Sequence, residues 1–166
     1  DVDGVLTDGG VYVAPDGSEL YKPFFARDGL VISLAPRAAL MTAIITGRSS
    51  AIVEHRAKEL HIDLVYQGCR NKCTAYADIK AKTGLTDEEI AYIGDDIIDL
   101  PVMHMVGLPC AVGDAVPEVK DAAQIIANER GGHGAVREIY EIILKTQGRW
   151  DEILTAFQTN VDEVAQ

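Results

Sequence analysis

The chain has 166 residues, 48% of them hydrophobic, enough for one respectable core, and the domain assignment is a single unit over 1–166. Its 26 acidic residues against 15 lysines and arginines give a formal net charge of −11, which argues against a nucleic-acid partner and offers an anionic substrate no long-range attraction. No apolar run approaches the ~20 residues of a membrane span, and neither a secretory leader nor a repeat nor a low-complexity linker is visible. Three cysteines, Cys69, Cys73 and Cys110, form neither a disulfide framework nor a zinc set, so reduced thiols in a cytoplasmic protein with no membrane partner are expected.

In chain order, the opening run Asp1-Val2-Asp3-Gly4-Val5-Leu6-Thr7-Asp8-Gly9-Gly10 sets two carboxylates one residue apart, followed by glycine. On an extended segment such side chains share a face, ~7 Å apart, so both can address one substrate, and Gly4 lets the chain turn sharply. The pair suits covalent catalysis, one acid as nucleophile and the other exchanging protons; a solvated acidic turn has the same composition. Val11-Tyr12-Val13 and Glu19-Leu20-Tyr21 about a Pro15-Asp16-Gly17 turn predict a β-hairpin, and a helix is expected from near Asp28. Strands near 41–46, 62–66, 90–94 and 108–112 alternate with helices near 49–60, 72–83, 97–106 and 115–122. That alternation is the pattern of an α/β, doubly wound parallel sheet, Rossmann-like. A strand at 124–126 and helices near 134–146 and 150–157 follow. Such a sheet needs an apolar strand leading into Asp1, and the expectation is that residues carrying it are lost upstream.

Three strand ends carry further chemistry. Thr46-Gly47-Arg48 closes an apolar strand with a hydroxyl, a glycine and a cation, suited to phosphate oxygens or to ordinary helix capping. Lys72 opens a helical pattern, where a cation opposes the helix dipole unless an anion or carboxylates compensate it. Asp95, Asp96 and Asp99 crowd the end of Ala91-Tyr92-Ile93-Gly94; they either cap a helix or relieve their repulsion by holding a hard divalent cation such as Mg2+.

The ordered set Asp-x-Asp, Thr-Gly, Lys and Gly-Asp-Asp resembles the haloacid dehalogenase superfamily of phosphotransferases, over nearly the whole chain. The resemblance implies that Asp1 attacks phosphorus, that Asp3 protonates the leaving alcohol and later activates water, and that Thr46, Gly47 and Lys72 hold the phosphoryl oxygens. It further implies Mg2+ on Asp1, the backbone carbonyl of Asp3, and Asp95, with Asp96 or Asp99 acting through water. The segments Arg27-Asp28-Gly29, Tyr92 to Met103 and Arg130-Gly131-Gly132-His133-Gly134 are similar to the phosphatases of 3-deoxy-D-manno-octulosonate 8-phosphate, which serve lipopolysaccharide precursor synthesis. Related enzymes act on nine-carbon keto sugar acid 9-phosphates; in the ketodeoxynononate enzymes an acid is expected after Thr-Gly, and Arg48 here favours the octulosonate.

Attraction of an anionic sugar phosphate must then be local, with Arg48, Arg70 and Arg130 as candidate contacts to the sugar, each equally readable as a solvated surface residue. The four histidines have no spacing that demands a metal or a triad. No segment is long enough for a cap domain, and the resemblance implies a homotetramer in which a neighbouring subunit covers the site and hairpins meet at the centre. Bacterial receiver domains use similar residues for a phospho-aspartate switch, but they place adjacent acids first and the phosphorylated Asp later, the reverse of the order here. A non-catalytic binding domain is the other alternative.

Overall fold

Short apolar strands flanked by amphipathic helices give the computed structural model its mixed α/β architecture; it describes residues 1–159. β1 (Tyr12–Val13) and β2 (Glu19–Tyr21) pair antiparallel, with Tyr12 opposite Tyr21 and their rings stacked 4.3 Å apart. The turn between them is held by Asp16, whose Oδ1 accepts from the Ser18 N–H and hydroxyl, and by Gly17 at φ +84°. β3 (Ala43–Ile45) pairs parallel with β4 (Leu64–Tyr66). β5 (Ala91–Gly94), β6 (Leu108–Ala111) and β7 (Ile125–Ile126) form a second parallel ladder in that spatial order. Among the described residues β3 and β5 are not bonded to each other, and an apolar gap of about 370 Å3 lies between them, lined by Val5, Leu6, Ile45 and Ile93.

The helices are α1 (Ala26–Ser33), α2 (Ala51–Glu59), α3 (Lys72–Thr83), α4 (Leu100–Met103), α5 (Pro117–Ala122), α6 (Ala135–Thr146) and α7 (Trp150–Thr159). α1 packs on α6, burying Val31, Ile32, Val136 and Ile139, while α3, α4 and α5 pack in series around Ala75, Ile79, Val102, Met103 and Val119. Ser50 caps α2 by accepting from the Val53 N–H, Asn71 caps α3 through the Cys73 N–H, and Gly84 ends α3 at φ +72°. No separate cap domain exists among the described residues, and Thr46, Lys72 and Asp95 all follow the carboxyl ends of parallel strands.

Two local expectations change. The helix predicted over 97–106 is a 3-10 turn, Ile97–Asp99, followed by the four-residue α4, because the Asp99 carboxylate folds back onto the N–H groups of Asp95 and Asp96 and tightens the chain. α1 starts at Ala26, so Asp28 lies inside its first turn and reaches across to accept from the N–H groups of Gly134 and Arg137 at the start of α6. Burial pushes the Asp28 carboxyl above its usual range. The loop after Arg130 packs on the segment after Asp3, and α6, at the expected place, contributes Ile139 and Leu144 to the core.

Candidate active site

The site is built around a buried lysine. Lys72 is the first residue of α3, where its charge opposes the helix dipole, and two carboxylates compensate it: Nζ lies 2.9 Å from Asp1 Oδ1 and 2.7 Å from Asp99 Oδ1. It also donates to the Tyr92 hydroxyl at 3.3 Å, and that hydroxyl donates to Asp99 Oδ1 at 2.6 Å. The other oxygen of Asp99 accepts from the Asp95 N–H at 3.0 Å, so its carboxylate, 0% exposed, is fully engaged. Gly94 makes this packing possible, since a Cβ there would sit 2.6 Å from that of Asp99. Burial raises the Asp99 carboxyl, while the charge and hydrogen bond of Lys72 and the hydrogen bond of the Tyr92 hydroxyl favour its ionised form. Burial, then the charge of Asp99, pushes the Tyr92 phenol far up, keeping it a neutral donor.

Asp95 stands differently. Its Oδ1 is buried without a hydrogen-bond partner, and burial, reinforced by the charge of Asp99, pushes its carboxyl up to about 6. Gly4, at φ +90°, leaves the space Asp95 occupies: a Cβ at residue 4 would lie 2.0 Å from Asp95 Oδ2. One oxygen each from Asp1, Asp95 and Asp99 lie within 4.8 Å of one another. A hard divalent cation fits this donor set, and the orphaned Asp95 oxygen is the atom such an ion would satisfy. Both Asp99 oxygens are already taken by hydrogen bonds, so in this trio the oxygens of Asp1 and Asp95 are the ones that would face such an ion. Asp96 is exposed and caps the 3-10 turn, accepting from the Ile97 N–H at 2.7 Å.

The Asp3 carboxylate lies outside that trio. Its Oδ1 accepts from Lys22, and Arg48 Nε approaches its Oδ2 at 3.8 Å. Thr46 is buried and ties β3 to the loop before α3, donating its N–H to Tyr66 O at 2.9 Å and accepting from the Cys69 N–H at 3.0 Å. Gly47, Arg48 and Arg70 are exposed beside it. Arg130 is held by Asp114, donating from Nε at 3.1 Å, while the next N–H, of Gly131, donates to the same carboxylate at 2.9 Å. Lys22, Tyr92 and the backbone of Gly131 and Gly132 were not singled out by sequence reasoning. Tyr92 had a usable signal, since an inward-facing strand tyrosine must find a partner for its hydroxyl; Lys22, in the run Tyr21-Lys22-Pro23, had none.

This arrangement, a carboxylate at the head of the chain beside a buried lysine and a strand-end acid cluster, coincides with a family match. Residues 51–139 fit the model of the haloacid dehalogenase-like hydrolases. The chain belongs to that family. Within it, the chain is 46% identical over 152 residues to the 3-deoxy-D-manno-octulosonate 8-phosphate phosphatase KdsC of Escherichia coli K12, covering 92% of this chain and 80% of that protein. The crystal structure of a probable YrbI family phosphatase from Pseudomonas syringae superposes with TM-score 0.92 at 43% identity, covering 96% of this chain and 90% of the other. A Moraxella catarrhalis 3-deoxy-D-manno-octulosonate 8-phosphate phosphatase, solved with magnesium, phosphate and the sugar acid, superposes with TM-score 0.90 at 39% identity over 94% of this chain and 89% of that one. These haloacid dehalogenase relatives share the fold described above, and the magnesium in the Moraxella catarrhalis structure accords with a divalent-metal cofactor for the acidic trio.

Proposed function

We propose that this chain is a Mg2+-dependent phosphatase that hydrolyses 3-deoxy-D-manno-octulosonate 8-phosphate to the free sugar acid and phosphate, for lipopolysaccharide precursor synthesis in the cytoplasm. The observation that carries it is the buried Asp1, Lys72, Asp95 and Asp99 cluster in a chain 46% identical to an enzyme of that name. Asp1 attacks the phosphorus in line with the leaving sugar oxygen and becomes an aspartyl phosphate, while Asp3 gives its proton to that oxygen. Asp3 then takes a proton from water, which attacks the acyl phosphate and frees Asp1. Lys72 holds a phosphoryl oxygen together with Thr46 and Gly47, and the Asp99 and Tyr92 contacts keep its ammonium in place. Mg2+ held by Asp1, Asp95 and the Asp3 carbonyl supplies neutralisation of the charge on the transferring group.

Arg48, half exposed beside Thr46, favours the eight-carbon acid over a nine-carbon one, with Arg70 at the same rim. Arg130 reaches the sugar only by leaving Asp114. The exposed apolar side chains of the hairpin, Val11, Val13, Leu20 and Tyr21, support a homotetramer whose neighbouring subunit covers the site. The edge strands β3 and β5 and the apolar gap between them fit a further parallel strand running into Asp1, within one domain. Phosphate release measured with Mg2+ across eight- and nine-carbon keto sugar acid phosphates tests the reading. It predicts the highest kcat/KM on the octulosonate ester and none after chelation; preference for a nine-carbon ester transfers the activity to that substrate, and a phosphorylated chain without turnover revives the receiver-like switch.

A further inference from the structure

Lys22 is a lysine with its side chain only 3% exposed, on the segment that leaves β2, far in sequence from every residue assigned a role. Burying an ammonium is costly unless it is paired, so its partners show what it is there for. It has two: it donates to Asp3 Oδ1, and it lies 3.1 Å from Glu19 Oε1. Glu19 in turn accepts from the hydroxyl of Ser50, the residue that caps α2 just after Thr46-Gly47-Arg48. A chain of contacts therefore runs from the Asp3 carboxylate through the hairpin to the phosphate-binding turn. Arg48 does not duplicate it, being half exposed and 3.8 Å from the other Asp3 oxygen.

We propose that Lys22 is a positioning residue for the acid/base: it fixes one oxygen of Asp3 and thereby aims the other, Oδ2, at the leaving oxygen of the substrate. The polar contacts of Lys22 are to Asp3 and Glu19, whereas Asp1 is paired with Lys72, so its effect falls on the proton transfer that Asp3 performs. The proposal rests on the phosphatase reading, and its consequence is specific to leaving group. An alkoxide leaving from a sugar needs a proton in the transition state, whereas p-nitrophenolate leaves without one. A loosened Asp3 slows phosphorylation by the alkyl ester and spares phosphorylation by the aryl ester, while the later hydrolysis of the acyl phosphate, common to both, does not enter kcat/KM.

The experiment compares kcat/KM, which reports steps through phosphorylation of the enzyme, for a simple alkyl phosphate and for p-nitrophenyl phosphate. Lys22→Met should lower the alkyl value by about tenfold or more relative to the aryl value, through kcat rather than KM, given the ~10²–10⁴ that a positioned acid contributes. Lys22→Arg, which keeps a cation in reach of Asp3, should restore most of that ratio, and it serves as the reading if the methionine variant fails to fold. Equal losses on both esters, or a loss confined to KM, overturn the proposal, because Lys22 would then serve stability or substrate binding. Failure of the wild-type protein to hydrolyse the octulosonate ester, with generic esters still turned over, would refute the substrate reading and leave the alkyl-to-aryl ratio to decide the role of Lys22.

Discussion

Replacing Gly131 by alanine should damage turnover without touching any charged group. Gly131 sits where the loop before α6 crosses the segment after Asp3, and an added Cβ would lie 1.7 Å from the Gly4 carbonyl oxygen and 2.6 Å from its carbon. Both are backbone atoms, so no side chain can swing away. A carbon–oxygen contact rests at about 3.3 Å or more, so the Gly4 peptide, or the loop, must retreat by roughly 1.6 Å. The neighbouring N–H of Gly132 donates to Val5 O at 2.9 Å, tying the same two strips of backbone together and leaving the displacement nowhere to dissipate. Gly4 adjoins Asp3 and shapes the space for Asp95, and a misplacement of about 1 Å in a catalytic constellation can cost about 100-fold. We expect kcat for Gly131→Ala to fall by about that factor, and overpacking to cost about 1–3 kcal/mol in urea denaturation. Gly131 is not among the glycines at positive φ, so conformational strain does not confuse the reading. Gly84→Ala is the matched control: φ there is +72° with open space around, so about 1 kcal/mol of stability should be lost with kcat unchanged. A Gly131→Ala enzyme with wild-type kcat would refute the argument that this loop braces the catalytic segment.

Other substitutions separate the parts of the site. Lys72→Met leaves Asp1 and Asp99 facing each other without their cation, so turnover should vanish and stability fall by about 3 kcal/mol in denaturant titration; a change under about 1 kcal/mol would show that the pairs are not formed. Asp95→Ala should lose Mg2+ affinity in calorimetry without substrate, and in the wild type protons should compete with the metal as pH falls below about 6. Because the folded-state value of Asp95 is raised above its ordinary 3.8, the metal-free protein should lose stability as pH rises from about 4 to about 6, and Asp95→Asn should remove that contribution; an unchanged slope would contradict the buried, unpaired environment. Arg48→Ala should weaken the keto sugar acid phosphate more than a small generic ester, whereas equal losses would assign Arg48 to phosphate binding or structure.

The sequence carried the frame of this site because its chemistry sits at strand ends, where apolar triplets announce themselves and the residue after each is easy to find: Thr46 after β3 and Asp95 after β5. Lys72 was legible through a conflict, a cation in the first turn of a helix, and the two carboxylates that resolve it come from residues 1 and 99. What stayed hidden depends on long-range geometry. The pairing of Lys22 with Asp3 spans 19 residues, and the approach of Gly131 to Gly4 is backbone against backbone, with no side-chain pattern to betray it. The 3-10 turn at Ile97–Asp99 escaped because helix periodicity cannot register an aspartate that bends back onto its own backbone. Sequence spacing likewise left the roles of Asp96 and Asp99 open; burial separates them, one capping at the surface and the other at the centre of the lysine network.

The central claim is that Asp1 takes the phosphoryl group during turnover. Quenching the Mg2+-loaded protein in acid while it turns over the octulosonate ester, reducing with borohydride and mapping the product by mass spectrometry tests it directly. The account predicts homoserine in place of Asp1, formed from the acyl phosphate; reduction at another aspartate, or at none while phosphate is being released, would contradict it.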